Sequence, residues 1–326
     1  MGSNDSKAEV ESLLRVLPPV DFCFLYGSAL HPNNHDRSKS IDFILGVSKP
    51  LEWHAQNLLL NRGHYVSSIM RLFGPQLITG VANGIGAGVH FNPYVNWGDK
   101  MFKYGVVRLH DLIKDILHWE RFYLSGRLQK PVHILVDTLD LEDVNSVNLR
   151  AAVSAALLLL PTKFSEEDLY AKICSLSYTG DLRMLFAEDK YKVKKIVRGQ
   201  FDSFQSMYKP FLEEYEGKEL LRFSSSSNHE EKIISQDSSL SAARALVSSL
   251  PQTIRSQMAT KLGAIGGDVC ELAIRSREEG AKCMQNILRR KVMVSSARQA
   301  VSGLLAVGAV NGMRYVGRKI RKAWES

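Results

Sequence analysis

The sequence predicts an α+β protein whose strands lie in the first part of the chain and whose helices fill the rest. Three observations carry that reading. Before residue 144 the apolar residues come in short runs bounded by turn formers, and after it they fall into long Ala- and Leu-rich stretches. A basic, amphipathic segment closes the chain. With 326 residues, 45% of them apolar and 23% charged, there is room for about two domains with real cores. That composition excludes a disordered chain and a disulfide-stapled mini-protein.

Phe22 to Tyr26 is bounded by Gly27-Ser28, and Ile41 to Val47 ends in a Ser-Lys-Pro breaker, so both are expected as strands. After Pro50 the apolar spacing from Leu51 to Tyr65 is helical, and Gly88 to Phe91, Lys103 to Leu109 and Pro131 to Val136 are further strands. Val147 to Leu160 is a strong helix that stops at Pro161, and Ser165-Glu166-Glu167-Asp168 caps another that runs to Leu176. The expected organisation is a first domain over 1–144 and a small helical domain over 145–223, for which a winged-helix-like form is one option. A serine-rich linker or mobile loop over 224–239 follows, then C-terminal helices over 240–326.

The net charge of +8 is confined to one end. From Arg289 to Ser326 nine Lys and Arg face the single acid Glu325, which leaves the remaining residues summing to zero. A neutral body with a cationic end fits a device for an anionic surface and not a nucleic-acid binder, which needs a basic face. Four scattered cysteines, Cys23, Cys174, Cys270 and Cys283, show no CxxC spacing, so reduced intracellular thiols are expected. The longest uncharged run near the C-terminus, Gln299 to Met313, is too short and too polar to span a bilayer. The N-terminus keeps several acids and does not look like a transit peptide. Met1-Gly2-Ser3 formally opens a myristoylation pattern of a kind that matches often by chance.

A candidate site stands out. A strand ending in Gly27-Ser28 lets main chain and hydroxyl approach a triphosphate, and Asp42 on the following strand offers a carboxylate for Mg²⁺. That pair is the core arrangement of polymerase-β-type nucleotidyltransferases, although a plain turn followed by an edge-strand aspartate reads equally well. The usual second carboxylate, two residues on, is replaced by Ile44. Asp181, in a Gly-Asp turn with Arg183 two residues later, is the first candidate to replace it, against a reading as a helix cap. Asp137 is its rival, against a reading as a strand-end turn residue. His54, Asn57 and Asn61 share one helical face, either a nucleotide contact or a polar surface. Lys103 on an alternating strand could reach a phosphate, and Gly84-x-Gly86-x-Gly88 reads as a loop allowing close backbone approach.

Further motifs agree in order: Tyr26-Gly27-Ser28-Ala29, Ile41-Asp42-Phe43-Ile44-Leu45-Gly46-Val47, Trp53-His54-x-x-Asn57, Asn61-x-x-His64-Tyr65 and Gly86-Ala87-Gly88-Val89-x-Phe91-Asn92. Lys103-Tyr104-Gly105-Val106, Gly126-Arg127-Leu128-Gln129-Lys130-Pro131-Val132 and Ser177-Tyr178-x-Gly180-Asp181-x-Arg183-Met184 follow them. Over roughly Phe22 to Val197 the chain resembles the mitochondrial translocator assembly and maintenance family, the soluble-type phosphatidate cytidylyltransferases. The resemblance implies a polymerase-β-type nucleotidyltransferase domain, then the small helical domain. It implies a Mg²⁺-dependent reaction of CTP with phosphatidic acid to CDP-diacylglycerol and pyrophosphate, feeding cardiolipin and phosphatidylglycerol synthesis. It also implies a peripheral place on the matrix side of the mitochondrial inner membrane. On that reading Gly27, Ser28, His54, Asn57, Lys103 and Arg183 bind the nucleotide, and Asp42 and Asp181 are the catalytic metal ligands.

Phosphatidic acid lies in a bilayer, so the enzyme must dock. Over 289–326 apolar residues are flanked and interleaved by bases. Arg314, Arg318, Lys319, Arg321, Lys322 and Trp324 fit an amphipathic helix lying in an anionic headgroup layer, the alternative being a core helix with a charged face. Two other functions stay open: a nucleotidyltransferase of the same fold acting on RNA or a small acceptor, and a non-enzymatic assembly factor at the membrane.

Overall fold

The computed structural model describes residues 2–27, 30, 40–181, 191–224, 233–263 and 273–308. In its first half, strands β1 (Phe22–Tyr26), β2 (Ile41–Val47), β3 (Val89–Trp97), β4 (Lys100–Arg108) and β5 (His133–Asp137) form one sheet in the order β3-β4-β2-β1-β5. β2 and β4 run parallel and every other pair antiparallel. Helices α1 (Gly2–Leu14) and α2 (Pro50–Leu60) cover one face, where Val10, Leu13 and Trp53 pack on Cys23, Leu25, Phe43, Leu45 and Val106. On the other face, α4 (Leu109–His118) and α5 (Ser125–Leu128) set Leu112, Ile116, Leu124 and Leu128 against Phe24, Ile44, Val89 and Val107. Burial on both faces is why β1 and β2 read as unbroken apolar runs and not as an alternation. Each such side chain contributes about 1.5–3 kcal/mol by leaving water.

β3 runs well past its expected end. Pro93 is accommodated because β3 is an edge strand, and the ladder shifts register between Asn92 and Val95. The helix expected to reach Tyr65 stops at Leu60 and is followed by a 3-10 turn, Arg62–His64. Helix α3 (Ser68–Gly80) and the π-helical turn Val81–Ile85 have no counterpart in the sequence reading. α3 is kinked at Gly74 (φ 68°, ψ −158°), ahead of Pro75.

The second half contains α6 (Leu141–Leu159), β6 (Lys163–Ser165), α7 (Glu166–Leu176), α8 (Lys192–Gly199), α9 (Phe201–Gly217), β7 (Leu221–Ser224) and β8 (Ile233–Gln236). Then come α10 (Leu240–Ser248), α11 (Gln252–Leu262) and α12 (Arg277–Val307). α6 begins earlier than its Ala-rich stretch suggests because the Asp137 carboxylate accepts from the N–H groups of Leu141 (2.9 Å) and Glu142 (3.0 Å). α7 carries the expected cap, with Ser165 and Asp168 exchanging side-chain and backbone hydrogen bonds.

Of the linker or mobile loop expected over 224–239, residues 225–232 lie outside the described residues and the rest is corrected to regular structure. β8 pairs with both β6 and β7 in a three-stranded sheet, and Ser239 caps α10. Ile234 is buried, and the Gln236 amide donates to the carbonyls of Leu157, Leu160 and Pro161. One core runs from Trp119 to Val292, so α10, α11 and most of α12 belong to the same body as α6–α9. The basic segment expected from Arg289 onward is likewise inside the fold as far as Val307. Val292 is buried, and Lys291 donates to the Glu120 carbonyl (2.9 Å). Arg298 donates to the carbonyls of Gly84 (2.8 Å), Ile85 (3.1 Å) and Gly86 (3.0 Å). The membrane residues proper, Arg314, Arg318, Lys319, Arg321, Lys322 and Trp324, lie outside the described residues. Cys23, Cys174 and Cys283 are free thiols.

The two halves meet at the loop after α4. The buried Asp115 carboxylate accepts five backbone N–H groups, from Arg121, Phe122, Tyr123, Leu124 and Ser125, at 2.7 to 3.0 Å. Replacing it by Asn removes the charge and turns an N–H₂ donor toward these donors. Asp115→Asn is expected to destabilise the protein by about 3 kcal/mol, read as a lowered urea midpoint at unchanged slope.

Candidate active site

β1 ends at Tyr26 and the chain reverses at Gly27, whose φ of 90° lies in the left-handed region that L side chains avoid. A Cβ at Gly27 would lie 3.7 Å from Asp42 Oδ2, so the turn presents bare backbone to that carboxylate. Asp42 is held between Tyr26 on β1 and Lys103 on β4, its partners in the two ladders. The Ser40 hydroxyl donates to its other oxygen at 3.1 Å. Lys103 Nζ lies 4.8 Å above the Phe91 ring, which aims the ammonium along this face. From α5, the Arg127 guanidinium stacks 5.3 Å from the Tyr26 ring and 4.1 Å from that of Tyr123, and it donates to the Tyr123 carbonyl at 2.6 Å.

The group is mutually felt. Burial and then the Asp42 charge raise the Tyr26 phenol above its usual range, against the opposing pull of Lys103 and Arg127. One carboxylate with two cations beside it, facing exposed backbone N–H groups, suits a polyphosphate. Gly27, Asp42 and Lys103, singled out by the sequence pattern, lie side by side, and Arg127 joins them from α5 without having been marked by it. Ser28 lies outside the described residues.

Asp181 follows α7 in a turn that packs on α5. Gly126 is at the contact, where a Cβ would meet Ser177 Cβ at 2.5 Å. Lys130 donates to the Ser177 hydroxyl (2.7 Å), and Lys130 and Lys192 flank the Tyr178 ring at 5.1 and 5.2 Å. Gly180 (φ 88°) has no room for a side chain, since a Cβ would sit 2.7 Å from the Arg289 carbonyl of α12. Asp181 itself is buried, and its N–H donates to the Tyr178 carbonyl at 3.0 Å. The turn therefore adjoins the helix that carries Arg127 and adds a second cationic cluster. Arg183 lies outside the described residues. Asp137 is excluded from this group: it pairs with Phe22, at the far end of β1 from Gly27, and caps α6. Among the described residues no three His, Cys, Asp or Glu side chains gather to hold a metal ion. A lone carboxylate beside a phosphate cradle does fit Mg²⁺, which is ordinarily held by one or two carboxylates together with substrate phosphates.

His54 and Asn57 do share a helical face with Asn61, but that face is turned inward. α2 packs on the side of the sheet opposite Asp42 and Lys103, because ladder neighbours point alternately to the two faces. There His54 Nδ1 lies 2.8 Å from Tyr65 Oη. Asn57 donates to the hydroxyls of Tyr65 (3.1 Å) and Tyr104 (2.9 Å), and Asn61 donates to Asn57 Oδ1 (2.9 Å). His64 Nδ1 lies 2.9 Å from Tyr104 Oη, and the His90 ring meets that of His54 edge-on at 5.2 Å. His54 and Asn57 are thus buried behind the sheet and are not brought to the Gly27–Asp42 group.

Residues 10–322 match the family described as "phosphatidate cytidylyltransferase, mitochondrial". The chain belongs to that family. Proteins of the same name from Mus musculus and Danio rerio are each 34% identical, over 316 and 319 residues, covering 94% of this chain and 91% and 92% of theirs. The Caenorhabditis elegans protein is 39% identical over 209 residues, 63% of this chain and 64% of its own length. The family match reaches well past Val197, where the motif resemblance ends, and so takes in the β6–β8 sheet and α12.

Burial holds the imidazoles of His64 and His90 down to about 4 and that of His54 well below its usual value. In the unfolded chain they bind protons near pH 6.5, so between pH 6.5 and 4 the unfolded state carries more protons than the native one. Stability contributed by these neutral rings is complete above pH 6.5 and is lost as pH falls toward 4. Urea midpoints measured across that window should drop steadily, with a flatter profile in His90→Gln; parallel profiles would refute the assignment.

Proposed function

We propose that this chain transfers the cytidylyl group of CTP to phosphatidate, giving CDP-diacylglycerol and pyrophosphate. The observation that carries the reading is the Gly27 turn facing Asp42, with Lys103 and Arg127 beside it, in a chain matched to this family over 10–322. The turn's N–H groups and Ser28 cradle the triphosphate, and Lys103, Arg127 and Arg183 neutralise its oxygens. Asp42, with Asp181 as second carboxylate, is the Mg²⁺ ligand, and the ion supplies charge neutralisation on the attacking and leaving oxygens when bound.

The nucleophile is a phosphate oxygen of the lipid, already an anion, so no side chain is needed to remove a proton. It attacks the α-phosphorus in line, the bond to the β-phosphate bridging oxygen breaks, and pyrophosphate leaves. The protein's contribution is position and fixed positive charge. His54 and Asn57 act only through the sheet, by fixing β4 and with it Lys103. The product is the activated lipid from which phosphatidylglycerol and cardiolipin are made. The enzyme works as a peripheral protein on the matrix face of the inner mitochondrial membrane, with its cationic C-terminal residues on anionic lipid. No helix among the described residues is long and apolar enough to cross a membrane.

Purified protein incubated with labelled CTP, Mg²⁺ and phosphatidate liposomes is expected to place label in the organic phase as CDP-diacylglycerol, with one pyrophosphate per lipid. Asp42→Ala should lower turnover by at least about 10³-fold and Arg127→Ala by roughly 10²-fold. Normal turnover by Asp42→Ala, or label transferred to RNA and not to lipid, overturns the proposal.

A further inference from the structure

Among the described residues, five strongly exposed large apolar side chains lie on α2 and α3. Leu59 is 87% exposed, Leu60 67%, Ile69 61%, Leu72 77% and Phe73 63%. The inner side of the same two helices is fully used. Tyr65, Met70, Ile78 and Val81 form a small core of their own, closed by Leu58 and Leu77, so the outer row is surplus to folding. Leu72 and Phe73 sit at the kink where Gly74 leaves helical geometry ahead of Pro75, which presents two large side chains on a projecting corner. A contiguous apolar patch of this kind marks a contact surface.

Charge and chain path identify what it meets. From Trp53 to Gly98 the sequence contains no Asp or Glu, and its only Lys or Arg residues are Arg62 and Arg71. A surface of leucines and phenylalanine with cations and no acid complements anionic lipid. α3 runs straight into the π-helical turn Val81–Ile85, and the carbonyls around that turn receive Arg298 of α12. One turn further on, α12 exposes Val301, Leu304 and Leu305, and beyond Val307 the chain continues into the segment bearing Arg314, Arg318, Lys319, Arg321 and Lys322. α12 therefore passes beside the π-turn into which α3 leads. Those five cations carry the same charge as Arg62 and Arg71, which disfavours that segment as the occupant of the patch.

We infer that the α2–α3 corner is a second membrane-inserting surface, whose Leu72–Phe73 kink enters the headgroup layer of an anionic bilayer independently of the C-terminal segment. The inference rests on the lipid substrate proposed above. Two consequences follow: docking has two points of contact, which fixes orientation as well as attachment, and the substrate lipid is met by a body already seated in the leaflet.

The test uses the full chain in a Cys270→Ser, Cys283→Ser background. An environment-sensitive fluorophore on Phe73→Cys is mixed with phosphatidylcholine vesicles containing or lacking 20% phosphatidate. Emission should shift to the blue only with the anionic vesicles. Leu72→Ser with Phe73→Ser should weaken vesicle sedimentation by roughly tenfold per side chain. Turnover of a water-soluble short-chain phosphatidate by the same variant should be unchanged, because both side chains are exposed and sit on the helical layer packed against the sheet face opposite Asp42. No blue shift with anionic vesicles overturns the inference. So does a probe already shielded in their absence, whether by the C-terminal segment or by a second copy of the chain. Lack of turnover by the unaltered protein on the soluble substrate would instead remove the proposed activity and leave the vesicle result standing.

Discussion

The arrangement of the two halves depends on one buried carboxylate. Asp115, in the last turns of α4, gathers the N–H groups of five consecutive residues, and the chain can meet that demand only by adopting left-handed conformations at Trp119 and Phe122. Uncompensated burial of such a charge costs several kcal/mol, so the loop has little freedom to adopt another shape. With its N–H groups turned inward, the loop turns carbonyls outward. Those of His118, Glu120 and Arg121 receive Thr253, Lys291 and Ser295 from α11 and α12. Trp119 and Gln129 both donate to Asn148 Oδ1, at 2.7 and 2.9 Å, which pins α6 to the same loop. At its end the loop becomes α5, whose Arg127 stands over Tyr26. The guanidinium beside Asp42 is thus placed by a carboxylate that never approaches the substrate.

The sheet divides the labour between its faces. On one, Asp42, Lys103 and Arg127 face the Gly27 turn, where charge is needed. On the other, adjacent residues of the same strands are held by neutral groups, the hydroxyls of Tyr65 and Tyr104 and the rings of His54, His64 and His90. Charged imidazoles would be badly solvated there, which is why burial lowers their proton affinity. Tyr104 is the neighbour of Lys103 on β4, and with Asn57 donating to its hydroxyl and His64 Nδ1 2.9 Å from it the strand cannot slide by a residue. A slip by one position would exchange the two faces and put an apolar side chain where Lys103 stands.

What the sequence makes legible follows from how local the cause is. β1, β2, the Ser165–Asp168 cap and the Gly27–Asp42 pairing rest on residues close along the chain, and each appears where local pattern places it. The shared face of His54, Asn57 and Asn61 was also readable, because helical spacing sets it. What covers that face was not, because the sheet behind it comes from β3 and β4, some forty residues on. The same reason hides the second sheet: Ser224 to Ser239 has the composition of a linker, and only the pairing of Ile233–Gln236 with both Lys163–Ser165 and Leu221–Ser224 makes its ends into strands. Gly74-Pro75 breaks the helical period of α3, and an aspartate on an amphipathic helix, such as Asp115, resembles a solvent-facing residue until its five donors are placed. The basic run from Arg289 shows the converse. Its helix is real, but Lys291 and Arg298 are committed to backbone carbonyls of the first half.

Helix α12 brings these strands of argument together. At 31 residues it is about 46 Å long and touches both halves of the site. The Arg289 carbonyl lies where a Gly180 side chain would be, one residue before Asp181. Nearly three turns later the Gln299 side-chain amide holds the backbone at Ala87 and at Val89 on the strand whose Phe91 supports Lys103. The spacing between the Asp181 turn and the Asp42 face is therefore set by a single rigid element. Its contacts require glycine at 86 and at 180, since a Cβ at either would meet neighbouring atoms within 3.0 Å. In this fold, one helix fixes how the turn after α7 stands relative to the edge of the sheet that carries Phe91 and Lys103.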